Sequence, residues 1–217
     1  MALSNYITQV RRLLHDTNGQ YWSDSELTDY INESRNRVCK DTRCLRAYLP
    51  ALINLTQGVE QYTFATASAA LPPAYTGYTM IDLMGLTVIW GQTRIKLAYL
   101  PWSRFDVNFR YWTNMQSRPV CYTKQNAQTI FVGPQPDQTY ASDWDIAMIP
   151  PPLVSDSTPE PILEPFTTPI KYHAAYLAKF REQAIGEANL FDQLYRRQVL
   201  IEAKAYQLRI IPDPYAK

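Results

Sequence analysis

Histidine, glycine and cysteine are scarce in this chain, and most catalytic sites depend on at least one of them. Two histidines and seven glycines occur among 217 residues, and no HExxH, GxSxG or glycine-rich phosphate loop is present. The three cysteines lack CxxC spacing, so neither a zinc knuckle nor a disulfide framework is predicted. No apolar run approaches the roughly 18 residues of a membrane span. We therefore predict no enzyme activity, no cofactor or metal, no small-molecule substrate and no membrane contact.

The chain also has no excess of positive or negative charge. Twenty-one basic and twenty acidic residues give a formal charge of +1, which provides no global field for nucleic-acid binding. Aromatic residues reach 13%, with sixteen tyrosines, a composition that fits either an assembly interface or a β-rich core. The chain starts without a basic and apolar leader, so we expect a soluble protein made in the cytoplasm.

Two amphipathic helices are predicted at the N-terminus. Ser4 is a candidate cap for the first, which should end near residues 16–19. The second should start at Ser23, because Glu26 stands three residues later in the spacing of a capping box. An apolar stripe follows at helical spacing: Leu27, Tyr30, Ile31, Ser34 and Val38. The pattern leaves three charged residues to the solvent: Asp29, Glu33 and Arg37.

The middle of the chain has the alternation of β-strands. Residues 55–64 predict two strands that meet at a turn containing Gly58, and residues 80–90 and 93–97 predict a hairpin around Gly91. Further strands are predicted at residues 118–122, 128–132 and 142–148. Residues 103–111 alternate like a strand but begin with a helix-capping pair, and we favour a short helix there.

Prolines and two further helices close the chain. Seven of the sixteen prolines lie between Pro150 and Pro169, which predicts an ordered polyproline-like crossing or a linker. Thr168 and Pro169 should start a helix that ends at Gly186. Asn189 should cap a last helix that carries an apolar repeat with Arg197 in register: Leu190, Leu194, Ile201, Ala205 and Leu208.

These elements predict an α+β fold. The economical arrangement is a helical bundle built from the N-terminal and C-terminal helix pairs, with an antiparallel β-rich domain of sandwich or barrel type inserted into it. The expected divisions are the N-terminal helices, the β-rich insertion, the proline-rich crossing, the C-terminal helices and an extended tail: residues 1–45, 46–150, 151–168, 169–208 and 209–217.

Few side-chain patterns suggest chemistry. His15 and His173 each fall in a predicted helix and are expected to be surface or core-edge residues. Asp143 and Asp145 lie on one face of a strand and could imitate a glycosidase pair, but carboxylates two residues apart do not flank a substrate from opposite sides. We interpret them as solvated strand residues.

Two groups of residues are candidates for binding. Four arginines belong to the basic patches of the N-terminal helices and would serve a DNA channel or a subunit interface, although solvated helix faces explain them too: Arg11, Arg12, Arg35 and Arg37. The tail beyond the last helix carries apolar residues between prolines, which suits a groove on a partner or packing on the bundle, unless the tail is disordered: Ile210, Ile211, Pro212 and Tyr215.

The order of several short motifs resembles the head-to-tail adaptor family of tailed bacteriophages, also described as connector or tail tubular protein A-like proteins. The matching segments are residues 10–16, 22–27 with 31–33, 58–62 and 133–137, and the proline-rich crossing into two helices. The resemblance implies a dodecameric ring at the head-tail junction of the virion, beneath the portal, that extends the DNA channel. It also implies that the bundle meets the portal, that the β region faces the tail, and that no catalytic residue exists to transfer.

These partners follow from the resemblance: portal protein, a tail nozzle or tail tube protein, further copies of the chain, and double-stranded DNA contacted without sequence preference. In short-tailed phages the C-terminal segment can run along the portal, which would employ Ile210, Ile211 and Tyr215. Two other hypotheses stay open from the sequence. One is a monomeric carbohydrate-binding or hydrolytic module of a phage tail, and the other is a small DNA-binding protein.

Overall fold

The computed structural model describes residues 1–109, 115–126 and 128–207. The chain divides into two compact units, unit 1 from Met1–Leu45 with Pro150–Lys217 and unit 2 from Arg46–Ile149. The described residues form six α-helices and eight strands: α1 (Leu3–Leu14), α2 (Asp24–Thr42), β1 (Arg46–Leu55), β2 (Gln61–Thr63), α3 (Phe64–Ala69), β3 (Thr79–Trp90), β4 (Thr93–Lys96), β5 (Ala98–Tyr99), α4 (Trp102–Phe109), β6 (Cys121–Lys124), β7 (Thr129–Gly133), β8 (Tyr140–Ile149), α5 (Thr168–Arg181) and α6 (Ile185–Gln207). The predicted α+β class is confirmed.

Helix α2 starts as its sequence predicts. The Ser23 hydroxyl accepts a hydrogen bond from the Glu26 amide at 3.2 Å, and the Glu26 carboxylate accepts one from the Ser23 amide at 3.3 Å. The capping box is therefore confirmed. Helix α1 differs, because Ala2 rather than Ser4 is its N-cap residue. The Ser4 amide donates instead to the Asp156 carboxylate at 2.7 Å, so a distant residue satisfies the start of this helix.

The core of unit 1 lies between helices, and α5 contacts α1, α2 and α6. The helices contribute the fully buried residues that their apolar spacing predicts: Tyr6, Val10, Leu27, Ile31, Val38, Ile170 and Ala174. The proline-rich segment between β8 and α5 has no regular helix or strand, but it buries Leu153, Ile162 and Phe166. It is therefore an ordered segment with apolar anchors, as the first of its two interpretations required.

The boundary between α5 and α6 corrects the sequence prediction. Helix α5 ends at Arg181, and Gly186 and Asn189 both lie inside α6, which starts at Ile185. The turn between the helices is made by Gln183, which adopts a left-handed backbone with φ of 62°. Glycine is the residue that normally marks such a turn. A non-glycine residue in this conformation leaves no signal in the sequence, which explains the error.

Unit 2 contains two four-stranded sheets. One has the order β1-β8-β3-β4 and is antiparallel throughout, and the other has the order β2-β7-β6-β5, with β5 parallel to β6. Two predicted pairs are confirmed, namely the β3–β4 hairpin, where Trp90 faces Thr93, and the β6–β7 pair. The ambiguous segment that starts at residue 103 is helical, as we favoured, because it lies in α4. Phe105 of this helix is buried beside Cys121 and Phe131.

The predicted pairing of the strands on either side of Gly58 is wrong. β1 pairs with β8 and β2 pairs with β7, so the two strands belong to different sheets. The turn itself forms, because the Tyr62 hydroxyl accepts from the Thr56 amide at 2.8 Å and donates to the Val59 carbonyl at 3.1 Å. The turn residues around Gly58 therefore predicted the change of chain direction correctly. They did not predict the strand partners, because these depend on residues far away in the chain.

Candidate interaction surfaces

Arg11 is bound within the connection between α1 and α2. Its guanidinium lies 3.1 Å from the Asp16 carboxylate, 2.8 Å from the Trp22 carbonyl and 2.7 Å from the Asp24 carboxylate. Asp16 is buried, which opposes its ionisation, but amide donors from residues 20, 21 and 22 together with Arg11 keep its pKa below the usual value. Arg11 thus holds this turn together and is mostly covered by it.

Arg35 is buried in an ion pair with Glu160 of the proline-rich segment. Its Nε and Nη2 atoms donate to the two carboxylate oxygens, each at 2.9 Å, and the exposed fractions of the two side chains are 1% and 0%. The remaining nitrogen, Nη1, donates to the Asn32 side chain at 3.1 Å and to the Pro151 carbonyl at 3.0 Å. The Tyr6 hydroxyl donates to Glu160 at 3.2 Å. A guanidinium buried in this way cannot touch DNA or a neighbouring subunit, so Arg35 leaves the set of candidate channel or interface residues.

Arg12 and Arg37 are exposed, so both stay candidates. Arg37 forms an ion pair with Asp41 at 2.9 Å, four residues along α2, and the Asp41 carboxylate also accepts from the Tyr195 hydroxyl at 2.7 Å. Arg12 makes no ion pair with any residue that the structure describes. The candidate tail residues lie outside the described residues: Ile210, Ile211, Pro212 and Tyr215.

Helix α6 exposes two residues of the apolar repeat that the sequence assigns to it, Leu190 and Ile201, and also the neighbouring Leu200. Leu190, Leu200 and Ile201 are 55%, 59% and 49% exposed, and the side that turns inward carries other residues: Ala188, Tyr195 and Glu202. The outward residues share one face with two exposed cations, Arg197 and Lys204. The repeat was a correct signal of a helix, but Leu190 and Ile201 are not used in the core of unit 1, and Leu208 lies outside the described residues.

Asp143 and Asp145 are both held by partners in unit 2, and the expectation of solvated carboxylates is wrong for Asp143. This carboxylate is buried and accepts from the Tyr48 hydroxyl at 2.6 Å, the Ala51 amide at 2.9 Å and Arg94 Nε at 3.2 Å. Asp145 is paired with Arg46. Ala51 has φ of 49° and lies where the register of β1 against β8 shifts, so Asp143 secures an irregular strand.

The histidines and cysteines do not assemble a chemical site. His173 is buried, with Nδ1 3.0 Å from the Ser34 hydroxyl, and burial together with the nearby Arg37 charge lowers its pKa to about 4. His15 is exposed at the left-handed end of α1. All three cysteines are free thiols. Within the described residues, no group of three or more His, Cys, Asp and Glu side chains is arranged to hold a metal ion.

Among the described residues, no helix is both long enough and apolar enough to span a membrane.

Comparisons with known proteins identify the family. A comparison with curated proteins gives no match. The family model described as SU10 adaptor protein matches residues 1–210, which is nearly the whole chain. The chain therefore belongs to the SU10 adaptor protein family, a family of phage head-to-tail adaptors with a structural role in the virion.

Proposed function

We propose that this adaptor forms a ring, of twelve copies, at the head-tail junction, where it joins the portal to the tail and continues the DNA channel. The observation that supports the proposal is the family match across residues 1–210. The nearly balanced charge of the chain fits a protein that lets DNA pass without binding it tightly. The action is mechanical: identical copies with two different lateral surfaces make head-to-tail contacts that close into a ring.

The two units divide this work in the proposal. Unit 1 meets the portal as a helical bundle, and unit 2 presents its sheets, as a sandwich or barrel, to a tail nozzle or tube protein. The tail residues Ile210, Ile211, Pro212 and Tyr215 dock on the portal, and the exposed Arg12 and Arg37 serve the channel or the subunit interface. The buried pair of Arg35 with Glu160 supports this role indirectly, because it ties the proline-rich segment to α2 within unit 1.

The carbohydrate-binding alternative has no support from the carboxylates that suggested it. Asp143 is occupied by three donors and Asp145 by Arg46. A glycosidase pair needs one carboxyl group that can donate a proton and another that is free to attack or to activate water. Neither of these side chains is available for such a role, so we do not propose it.

Electron microscopy of the full-length protein with the portal protein of the same phage tests the proposal. We expect rings of adaptor stacked coaxially on the portal, with class averages that show twelvefold symmetry. The variant with serine at Ile210, Ile211 and Tyr215 should lose portal binding while the folded monomer keeps its circular dichroism spectrum. A protein that stays monomeric beside the portal over a range of concentrations would contradict the proposal.

A further inference from the structure

The outward face of α6 carries large apolar residues that the described part of the chain leaves exposed. Leu190, Arg197, Ile201 and Lys204 follow one another at intervals of seven, four and three residues, which aligns them along one side of the helix. Leu200 lies beside them, and a shallow surface groove is lined by residues between positions 193 and 204, among them Gln193 and Arg196. The exposed fractions of the Leu200 and Ile201 side chains are 59% and 49%. Large adjacent apolar residues of this kind are typical of a surface that a partner covers.

Two cations accompany these apolar residues, and the described part of the chain offers neither of them an ion-pair partner. Arg196 is paired with Asp192 at 2.7 Å, one turn earlier, but Arg197 and Lys204 form no ion pair with any residue in the described part of the chain. An apolar face edged by unpaired positive charge favours a protein surface that carries negative charge. It does not suit the DNA backbone, since exposed leucine and isoleucine gain nothing from contact with phosphates.

A matching acidic face exists on α2. Asp29 and Glu33 are exposed, four residues apart on the side of α2 opposite the buried Leu27 and Ile31. Neither carboxylate forms an ion pair within the described residues, whereas Asp24, Glu26 and Asp41 on the same helix all do. Along the helix axis the two carboxylates are separated by about 6 Å and the two α6 cations by about 10 Å, and long Arg and Lys side chains span the difference.

We propose that the outward face of α6 in one copy docks on the acidic face of α2 in the next copy. The inference rests on the proposed ring, and it adds the identity of the two surfaces that meet. A closed ring requires two different, complementary patches on each subunit, because a single self-complementary patch produces only a dimer. The apolar residues of α6 supply buried area at this contact, and Arg197 and Lys204 facing Asp29 and Glu33 set its register.

A charge-swap experiment tests the pairing in the full-length protein. One variant carries Arg197→Glu and Lys204→Glu, a second carries Asp29→Lys and Glu33→Arg, and a third carries all four substitutions. A control variant carries Lys96→Glu and Arg104→Glu, two exposed positions of unit 2 with the same change in net charge as the first variant. Ring formation on the portal is scored by electron microscopy and by mass measurement, and circular dichroism confirms that each monomer is folded.

We expect each two-residue variant to lower the fraction of subunits in rings, with an apparent affinity roughly 100-fold weaker, because like charges then face each other across the contact. The four-residue variant should recover most of the loss, and the control should assemble like the wild-type protein. The double variant Leu200→Ser with Ile201→Ser should also weaken assembly, and the four-residue charge swap should not rescue it.

Three results would overturn the inference. Wild-type rings together with undiminished rings in both two-residue variants would show that neither face is used, while the proposed ring would stand. Loss of rings without rescue in the four-residue variant would show that α6 is covered by something else, such as the tail of its own chain or the portal. Absence of rings in the wild-type protein itself would remove the proposed function and the inference with it.

Discussion

The two units of this adaptor both bury a carboxylate with an arginine, but they expose the arginine very differently. In unit 1 the partners Arg35 and Glu160 are 1% and 0% exposed, and every guanidinium nitrogen is bound to unit 1. In unit 2 the Asp143 side chain is fully buried while its partner Arg94 is 61% exposed. The first pair has no access to water if one partner is lost, whereas the second has a cation that water can solvate. The burial of both partners, rather than the distance between their charged atoms, should therefore set how much stability is lost when one partner is removed.

The largest effect should come from breaking the buried pair of unit 1. We expect Arg35→Met to destabilise the protein by about 3–5 kcal/mol, because Glu160 is left buried without a counter-charge. Urea unfolding followed by circular dichroism measures this loss, and Arg37→Met, at an exposed pair, should cost about 0.5 kcal/mol or less. The double variant Arg35→Met with Glu160→Met should be more stable than Arg35→Met alone. Equal losses at positions 35 and 37 would contradict the comparison.

A smaller effect is expected from the half-exposed pair of unit 2. Asp143→Ala leaves the Ala51 amide and the Tyr48 hydroxyl without their acceptor, which should cost about 1–3 kcal/mol. Hydrogen exchange measured by mass spectrometry should locate the loss of protection in β1 and β8. Asp145→Ala removes only the more exposed pair with Arg46 and is the matched control, with an expected cost below about 1 kcal/mol.

Lowering the pH should destabilise unit 1 through histidine, because both histidines of the chain belong to unit 1. His173 has a folded pKa of about 4 against an ordinary 6.5, with burial as the main cause. Between these values the unfolded chain binds a proton that the folded chain does not, so stability falls as the pH falls, by at most about 1.4 kcal/mol per pH unit. Unfolding curves from pH 7 to pH 4 should show this slope in the wild type and in His15→Asn. An undiminished slope between pH 6.5 and pH 5 in His173→Asn would refute the assignment, because carboxylates such as Asp16 contribute to the slope only nearer pH 4.

The smallest of the four effects should come from the helix cap of α2. Ser23→Ala removes the hydroxyl that accepts the Glu26 amide, with an expected loss of about 1 kcal/mol. Ser25→Ala, in the first turn of the same helix, is the control and should change stability little. Thermal unfolding of both variants measures the difference, and the loss should appear as faster hydrogen exchange at the start of α2 rather than in unit 2.

Local signals in the sequence predicted the elements whose stability is local. The capping box at Ser23, the hairpin turn at Gly91 and the apolar stripes of α1 and α2 depend on residues within a few positions of each other, and all are present. The errors lie where a distant residue takes part, or where a residue adopts a backbone conformation that its type rarely shows. Asp156 satisfies the start of α1, and Gln183 supplies a left-handed turn without glycine.

The predictions about binding residues also failed where contacts between distant residues decide burial. The sequence marked the N-terminal arginines as a group because they are close in the chain. The structure separates them, since Arg11 is bound to the α1–α2 connection, Arg35 is buried, and Arg12 and Arg37 are exposed. Glu160 had no feature to single it out among proline-rich neighbours. The partner of a buried charge lies 125 positions away in this chain, and no spacing rule can reveal it.

The α+β class, most helix and strand positions, and the adaptor family were predictable without coordinates. Periodicity and caps depend on neighbouring residues, and the order of short motifs can be read along the chain. The strand pairing, the burial of Arg35 rather than Arg12 or Arg37, and the outward side of α6 became known from the folded chain. The physical reason is that burial and strand pairing depend on residues brought together from distant parts of the chain. The exposed face of α6 is such a result: its apolar repeat predicted a helix, and packing of Ala188 and Tyr195 into unit 1 left Leu200 and Ile201 uncovered.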